Sequence, residues 1–175
     1  VNVVVARAIG RGDRDGIEKA VHTALTVAFI SGVILSVMGF FLSPILLALM
    51  DTPPDVIDKS ILYMSIIFLG QVVNLVYNFG SAILRSDGDT QRPLYYLTFA
   101  GVLNVLLNLF FVIVVKLDVA GVALATIISQ ALSAFLVVRA LIEGSSSVKF
   151  YFSKLGIDHK SLKEILYMGV PAGLQ

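Results

Sequence analysis

Charged positions in this sequence are clustered and leave four long apolar intervals. No Asp, Glu, Lys or Arg occurs over 20–50, 60–84, 93–115 or 119–138. A helix needs about 20 apolar residues to cross about 30 Å of hydrocarbon, and each interval is long enough. Inside a bilayer the backbone must satisfy its own hydrogen bonds, so the pattern predicts four membrane helices. One such interval would suit a buried core helix of a soluble protein; four in succession do not.

The polar punctuation predicts where these helices begin and end. The first starts near Asp13 to Gly16, is interrupted near Pro44 and ends around Met50. Asp51-Thr52-Pro53-Pro54 opens the second, with Thr52 as N-cap and proline tolerated in the first turn. That helix runs to about Arg85 and is closed by Ser86-Asp87-Gly88-Asp89; Pro93 opens the third. The third ends near Lys116-Leu117-Asp118, and the fourth begins at Val119 and fades past Glu143. A polar stretch, 144–160, follows, read as a linker or as a segment lying on the membrane surface. Ser161 and Glu164 then stand in capping-box spacing before a last apolar run. Val1 to Gly10 reads as the tail of an earlier helix, and both ends read as cut. The expected fold is all-α, a polytopic bundle of antiparallel helices joined by short loops.

Composition agrees. The chain is 57% apolar and 14% charged, with a mean hydropathy of +0.90, against about 45–50% and 25% for soluble domains. A net charge of +1 and the lack of a basic stripe speak against a nucleic-acid partner. With no cysteine, disulfides and thiolate metal sites are excluded. The cations alternate by loop. Arg7, Arg11, Arg14, Lys19, Arg85, Arg92, Arg139, Lys149, Lys154, Lys160 and Lys163 fall on one side, and only Lys59 and Lys116 on the other. The positive-inside bias makes 11–19, 85–92 and 144–160 cytoplasmic and turns Asp51, Asp55 and Asp58 outward.

Polar side chains recur within the spans. On the second predicted helix Ser60, Tyr63, Gly70, Gln71, Asn74, Asn78 and Ser81 share one arc at about 100° per residue. Thr98, Gly101, Asn104 and Asn108 share a face of the third, and Gly121, Ala125, Ser129 and Ser133 recur every fourth position on the fourth. The last set reads as a helix-packing stripe. An unpaired amide in hydrocarbon costs several kcal/mol, so Gln71, Asn74, Asn78, Asn104 and Asn108 need partners or water. They either bond one another or border a hydrated cavity, and both readings stand.

The spans hold no carboxylate, Lys or Arg, and His22 sits near the end of its helix. Paired acids, metal-ligand spacings and converging Ser, His and Asp are missing, so no enzyme is expected. Gly10-Arg11-Gly12-Asp13 has no strand before it and reads as a turn rather than a phosphate loop.

Several short motifs, in this order and spacing, resemble the multidrug and toxic compound extrusion (MATE) family. They are Ile9-Gly10-Arg11-Gly12-Asp13, Ile83-Leu84-Arg85 with Gly88-Asp89 and Pro93, and Asn104 through Asn108. Gly121-Val122-Ala123-Leu124-Ala125-Thr126 with Ser129, and Gly169-Val170-Pro171, complete the set. The resemblance implies a partial six-helix lobe of a twelve-helix transporter. Residues 1–143 would hold the end of helix two, helix three over roughly 14–50, helix four over 53–85, helix five over 92–115 and helix six over 119–143. Then come an interlobe linker, 144–160, and the start of helix seven, 161–175.

The resemblance further implies a multi-pass protein of the plasma (inner) membrane that exports small organic molecules, cationic or neutral, in exchange for H+ or Na+. Its partners would be the bilayer, the cargo and the remaining helices of the same transporter, with no cofactor beyond the coupling ion. Asn104 matches the usual Asn of helix five, and Thr126 a site Thr of helix six. Gln71, Asn74, Asn78 and Tyr63 would line the same cavity. Asn108 departs from the pattern: the family often has Asp there, and an amide cannot exchange a proton, though it can ligate sodium. Two other functional classes fit the sequence. A flippase for lipid-linked oligosaccharides would favour Arg or Lys in the cavity, and a non-transporting scaffold would keep its amide faces dry.

Overall fold

The computed structural model describes residues 1–144 and 147–173. It is built from α1 (Asn2–Gly10), α2 (Arg14–Leu49), α3 (Ile57–Leu69), α4 (Gln71–Ser86), α5 (Gln91–Leu109), α6 (Asp118–Glu143) and α7 (His159–Gly173). A π-helical turn, Phe110–Val114, extends α5, and a 3-10 turn, Phe152–Lys154, lies ahead of α7. Among the described residues three helices are long and apolar enough to cross a membrane, or four if α3 and α4 count as one bent span.

Two of the connections are the same device. After α1, Gly12 N–H donates to Ile9 O and Asp13 N–H to Ala8 O; after α4, Gly88 N–H donates to Arg85 O and Asp89 N–H to Leu84 O. This is a Schellman ending, which needs a left-handed residue, and Gly12 (φ 65°) and Gly88 (φ 90°) supply it. Each glycine is followed by an aspartate that caps the next helix. Asp13 accepts from Gly16 N–H at 2.9 Å and Asp89 from Arg92 N–H at 3.1 Å. The chain thus stops one helix and starts the next within three or four residues.

Elsewhere the structure departs from the sequence pattern. Pro44 lies inside an unbroken 36-residue α2 rather than interrupting it; in spans, neighbouring groups and local adjustment absorb the lost backbone bond. Thr52 does not cap α3, which starts at Ile57 after 53–56 form a turn. At α7 the capping residue is Asp158, not Ser161: its carboxylate accepts from Ser161 N–H at 2.8 Å and Ser161 Oγ at 3.0 Å. Those bonds hold Asp158 below the usual carboxylate range.

The expected second helix bends by 43° between Leu69 and Gln71, yielding α3 and α4. Both neighbours press on the bend. Gly70 lies under Ile127 of α6, and Gly32 of α2 touches the backbone of Val72, so a β-carbon at either glycine would clash. Ser36 Oγ of α2 reaches Leu69 O at 3.5 Å, beside the break.

Across the bundle the packing order is α2, then α3 and α4, then α6, then α5; α1 and α7 pack on α2 at one end. The tight core gathers there, at the arginine-rich end, from Val5, Val21, Ile83, Leu84, Val137, Leu141, Val148 and Phe150. Toward the other end Phe29, Ile34, Met38, Phe41, Ile45 and Leu49 of α2 are exposed, as expected of side chains facing lipid or further helices.

Candidate functional site

The sequence-predicted amides form two separate groups. On α5 and α6, Asn108 Nδ2 donates to Asn104 Oδ1 at 3.0 Å, and Asn104 Nδ2 approaches Thr126 Oγ1 at 3.5 Å. Thr126 in turn donates to Val122 O at 3.0 Å. Asn104 and Asn108 meet because they stand one turn apart on α5, and α6 runs antiparallel beside them. The chain of bonds ends on an unused acceptor: Asn108 Oδ1 is buried and, among the described residues, meets no donor. Immediately after it the helix widens into the π-turn 110–114, which sets Phe111 against Gly121. Such widenings recur at functional sites.

On α4, Asn78 Nδ2 donates to Asn74 Oδ1 at 2.5 Å and to Asn74 O at 2.9 Å. Asn78 is exposed and Gln71 and Asn74 half-buried, so this face reaches the surface of the chain. No hydrogen bond among the described residues joins it to the Asn104 group. Ser81, on the same arc, is fully buried, and its hydroxyl meets no partner among the described residues. Tyr63 lies apart on α3, in a cleft of about 410 Å³ beside Lys59, Ser60 and Val119. Lys59 closes its rim through an ion pair with Asp118 at 2.6 Å.

Gly121, Ala125, Ser129 and Ser133 are all buried on α6. Ser129 Oγ turns back to Ala125 O at 2.7 Å, and Ser133 Oγ reaches Tyr96 O of α5 at 3.4 Å. The loop residues act as caps and stops. Gly12, Asp13, Gly88 and Asp89 make the paired turns, and Arg92 Nε adds an ion pair to Asp89 at 3.2 Å. Pro93 is buried with its carbonyl accepting Tyr77 Oη at 3.3 Å, while Arg85 is exposed in the last turn of α4, where a cation suits the helix dipole.

A second small-residue stripe went unread in the sequence. Ala28, Gly32, Ser36, Gly39 and Ser43 are all buried along α2. Gly32 meets Val72 and Gly39 meets the Phe68 ring. Its spacing of three or four is the same signal that exposed the α6 stripe. His22, near the start of α2, is 3% exposed and hydrogen-bonded at both ring nitrogens, which its place near a helix end does not signal.

Long apolar helices, one of them bent at Gly70, define a chain suited to crossing a membrane several times. The MatE family profile matches residues 1–110, and the chain belongs to that family of MATE transporters. It is 33% identical over 98% of its length to "Probable multidrug resistance protein YpnP" of Bacillus subtilis, covering 38% of that protein. It is 30% identical over 99% of its length to "Probable multidrug resistance protein YoeA" of the same organism, covering 39%. In fold it matches a structure described as "Crystal structure of MATE in the bent conformation" with a TM-score of 0.93, at 24% identity over 99% of this chain and 39% of that one. The chain therefore spans about two fifths of the length of these relatives.

Proposed function

We propose that this chain forms most of one lobe of a secondary antiporter that exports small organic molecules, cationic or neutral, across the plasma membrane. In this reading the arginine-rich end faces the cytoplasm, and the lobe works with the remaining helices of the same transporter. The supporting observation is the buried, unpartnered oxygen of Asn108 at the end of the chain through Asn104 to Thr126. A neutral oxygen without a donor suits a hard cation or the N–H of a cargo, and it does not titrate. Asn104 and Thr126 would hold Asn108 in place, and Thr126 Oγ1 offers a second oxygen nearby.

This chemistry favours Na+ over H+ at the Asn108 position; a proton would need a carboxylate elsewhere in the transporter. No Arg or Lys occurs within the four apolar intervals, which suits neutral or cationic cargo better than a pyrophosphate-linked lipid. The complete transporter, reconstituted in vesicles, should show drug efflux accelerated by an inward Na+ gradient. Asn108→Leu and Asn104→Leu should abolish that acceleration, and unchanged Na+ dependence in both variants would overturn the assignment.

A further inference from the structure

Residues 147–158 leave the end of α6 and lie across the first turns of α2. Val148 and Phe150 are buried, and Phe150 N–H donates to Leu141 O at 3.1 Å. The centre of this strap is His22. Tyr151 N–H donates to His22 Nε2 at 3.0 Å, while His22 Nδ1 stands 2.7 Å from Glu18 O. Because the Tyr151 amide can only donate, Nε2 carries the lone pair, and the proton sits on Nδ1 toward the Glu18 carbonyl. The Tyr151 bond requires the neutral ring, whereas the Nδ1–H bond to Glu18 O survives protonation. Phe150 and Tyr151 pack against it, with ring centroids 5.3 and 6.3 Å away. Further along, Asp158 N–H donates to Thr23 Oγ1 at 2.9 Å, and Lys154 pairs with Glu18 at 2.7 Å.

We propose that His22 is a proton-operated latch: neutral, it holds the 147–158 strap on α2, and protonated, it releases it. An imidazolium carries N–H groups on both nitrogens, so its Nε2 would face the Tyr151 N–H donor to donor. A charge would also enter a site that is 3% exposed.

The charged surroundings of the ring are few. Glu18 comes from its own helix, and its carboxylate is engaged by Lys154, which also lies over the Tyr151 ring at 5.3 Å. Lys149 and Tyr151 of the strap line the adjoining cleft with Glu18 and Arg14. Around Lys19 and Asp158, Arg7 comes from α1, Arg11 and Asp13 from the turn after it, Asp15 from the start of α2, and Lys160 and Glu164 from α7. Glu18 stands one turn away on the same helix with its carboxylate engaged by Lys154, and among the described residues the Tyr151 N–H is the hydrogen-bond partner of Nε2. Release would expose Val148 and Phe150 and loosen α7 from the end of α2 at which α1, α4 and α6 meet.

Amide hydrogen exchange on the complete transporter in detergent tests this. Protection of the 147–158 peptide, divided by that of the Ile83–Leu84 region, removes the intrinsic pH dependence of exchange. The ratio should fall about tenfold as the pH is lowered from about 8 to about 5. In His22→Gln, whose neutral oxygen accepts the Tyr151 N–H at every pH, it should stay level. Thr23→Val, which weakens the other attachment, should lower the ratio at every pH and leave its fall in place. A ratio that does not vary with pH in the wild type overturns the latch, as does a parallel fall in His22→Gln. The Asp158 cap fails only below the carboxylate range, so a fall confined to that range also counts against His22.

Discussion

Gly32 of α2 lies against the backbone of Val72 of α4, so close that a β-carbon on Gly32 would stand 2.6 Å from Val72 Cα. The neighbour is main chain, which cannot swing aside, and it lies in the first turn after the bend at Gly70. Gly32→Ala should therefore push the two helices apart and cost about 1–3 kcal/mol. Thermal unfolding in detergent measures this. Gly101→Ala, where a β-carbon meets nothing within 4 Å, is the control and should be neutral or slightly stabilising. Equal melting temperatures for the two variants would mean that the α2–α4 approach is looser than described.

The paired turns at Gly12 and Gly88 separate backbone strain from packing, because neither glycine has an atom within 4 Å of its would-be β-carbon. Gly12→Ala and Gly88→Ala should each cost about 1–2 kcal/mol through the positive φ alone. Gly12→Asn should cost less, since Asn tolerates that region. Chemical or thermal denaturation of the three variants gives the order.

Asn108→Asp places a titratable group where the native amide oxygen meets no donor. If that position admits ions from water, efflux by the variant gains a pH-dependent step that the parent lacks. Efflux rates measured at several pH values, with the Na+ gradient held constant, check this. A pH profile identical to the parent's would mean that position 108 is sealed from both solutions.

Asp158 yields a pH prediction with a definite sign. Its folded-state pKa is lowered by the Ser161 bonds, so the stabilisation is fully present above the ordinary carboxylate pKa of about 4. It is lost as pH falls through the lowered folded value. The start of α7 should therefore keep its exchange protection through mild acid and lose it in stronger acid. Asp158→Asn should lack that acid transition, because its side chain has no proton to gain there. A transition of the same size in the variant would assign the acid sensitivity to another group.

Helix positions were largely legible because each answers to a local cause. Charge-free intervals of sufficient length mark the spans, and Gly12-Asp13 and Gly88-Asp89 mark the turns by backbone chemistry that needs no distant partner. The misread boundaries are those where a neighbour decides. Gly70 looked like one more small residue on a polar arc, yet α2 and α6 crowd the chain there and α3 and α4 part at it. Ser161 fitted a capping box, but Asp158, bonded through its amide to Thr23 of α2, takes the cap. The amide faces were visible from spacing, while their division into an Asn74–Asn78 pair and an Asn104–Asn108–Thr126 chain was not. Spacing says which residues share a face of one helix and nothing of which helix lies opposite.

The sequence by itself determined an all-helical membrane chain, its alternating loops and its supply of uncharged polar groups, because burial in hydrocarbon filters residues one segment at a time. Only the tertiary structure decided that α6 rather than α2 lies beside α5, that Asn108 keeps a buried oxygen without a donor, and that a segment resembling a linker is fastened to His22. Each of these depends on contacts between residues distant in the chain, and only the packing of one helix against another fixes which of them meet.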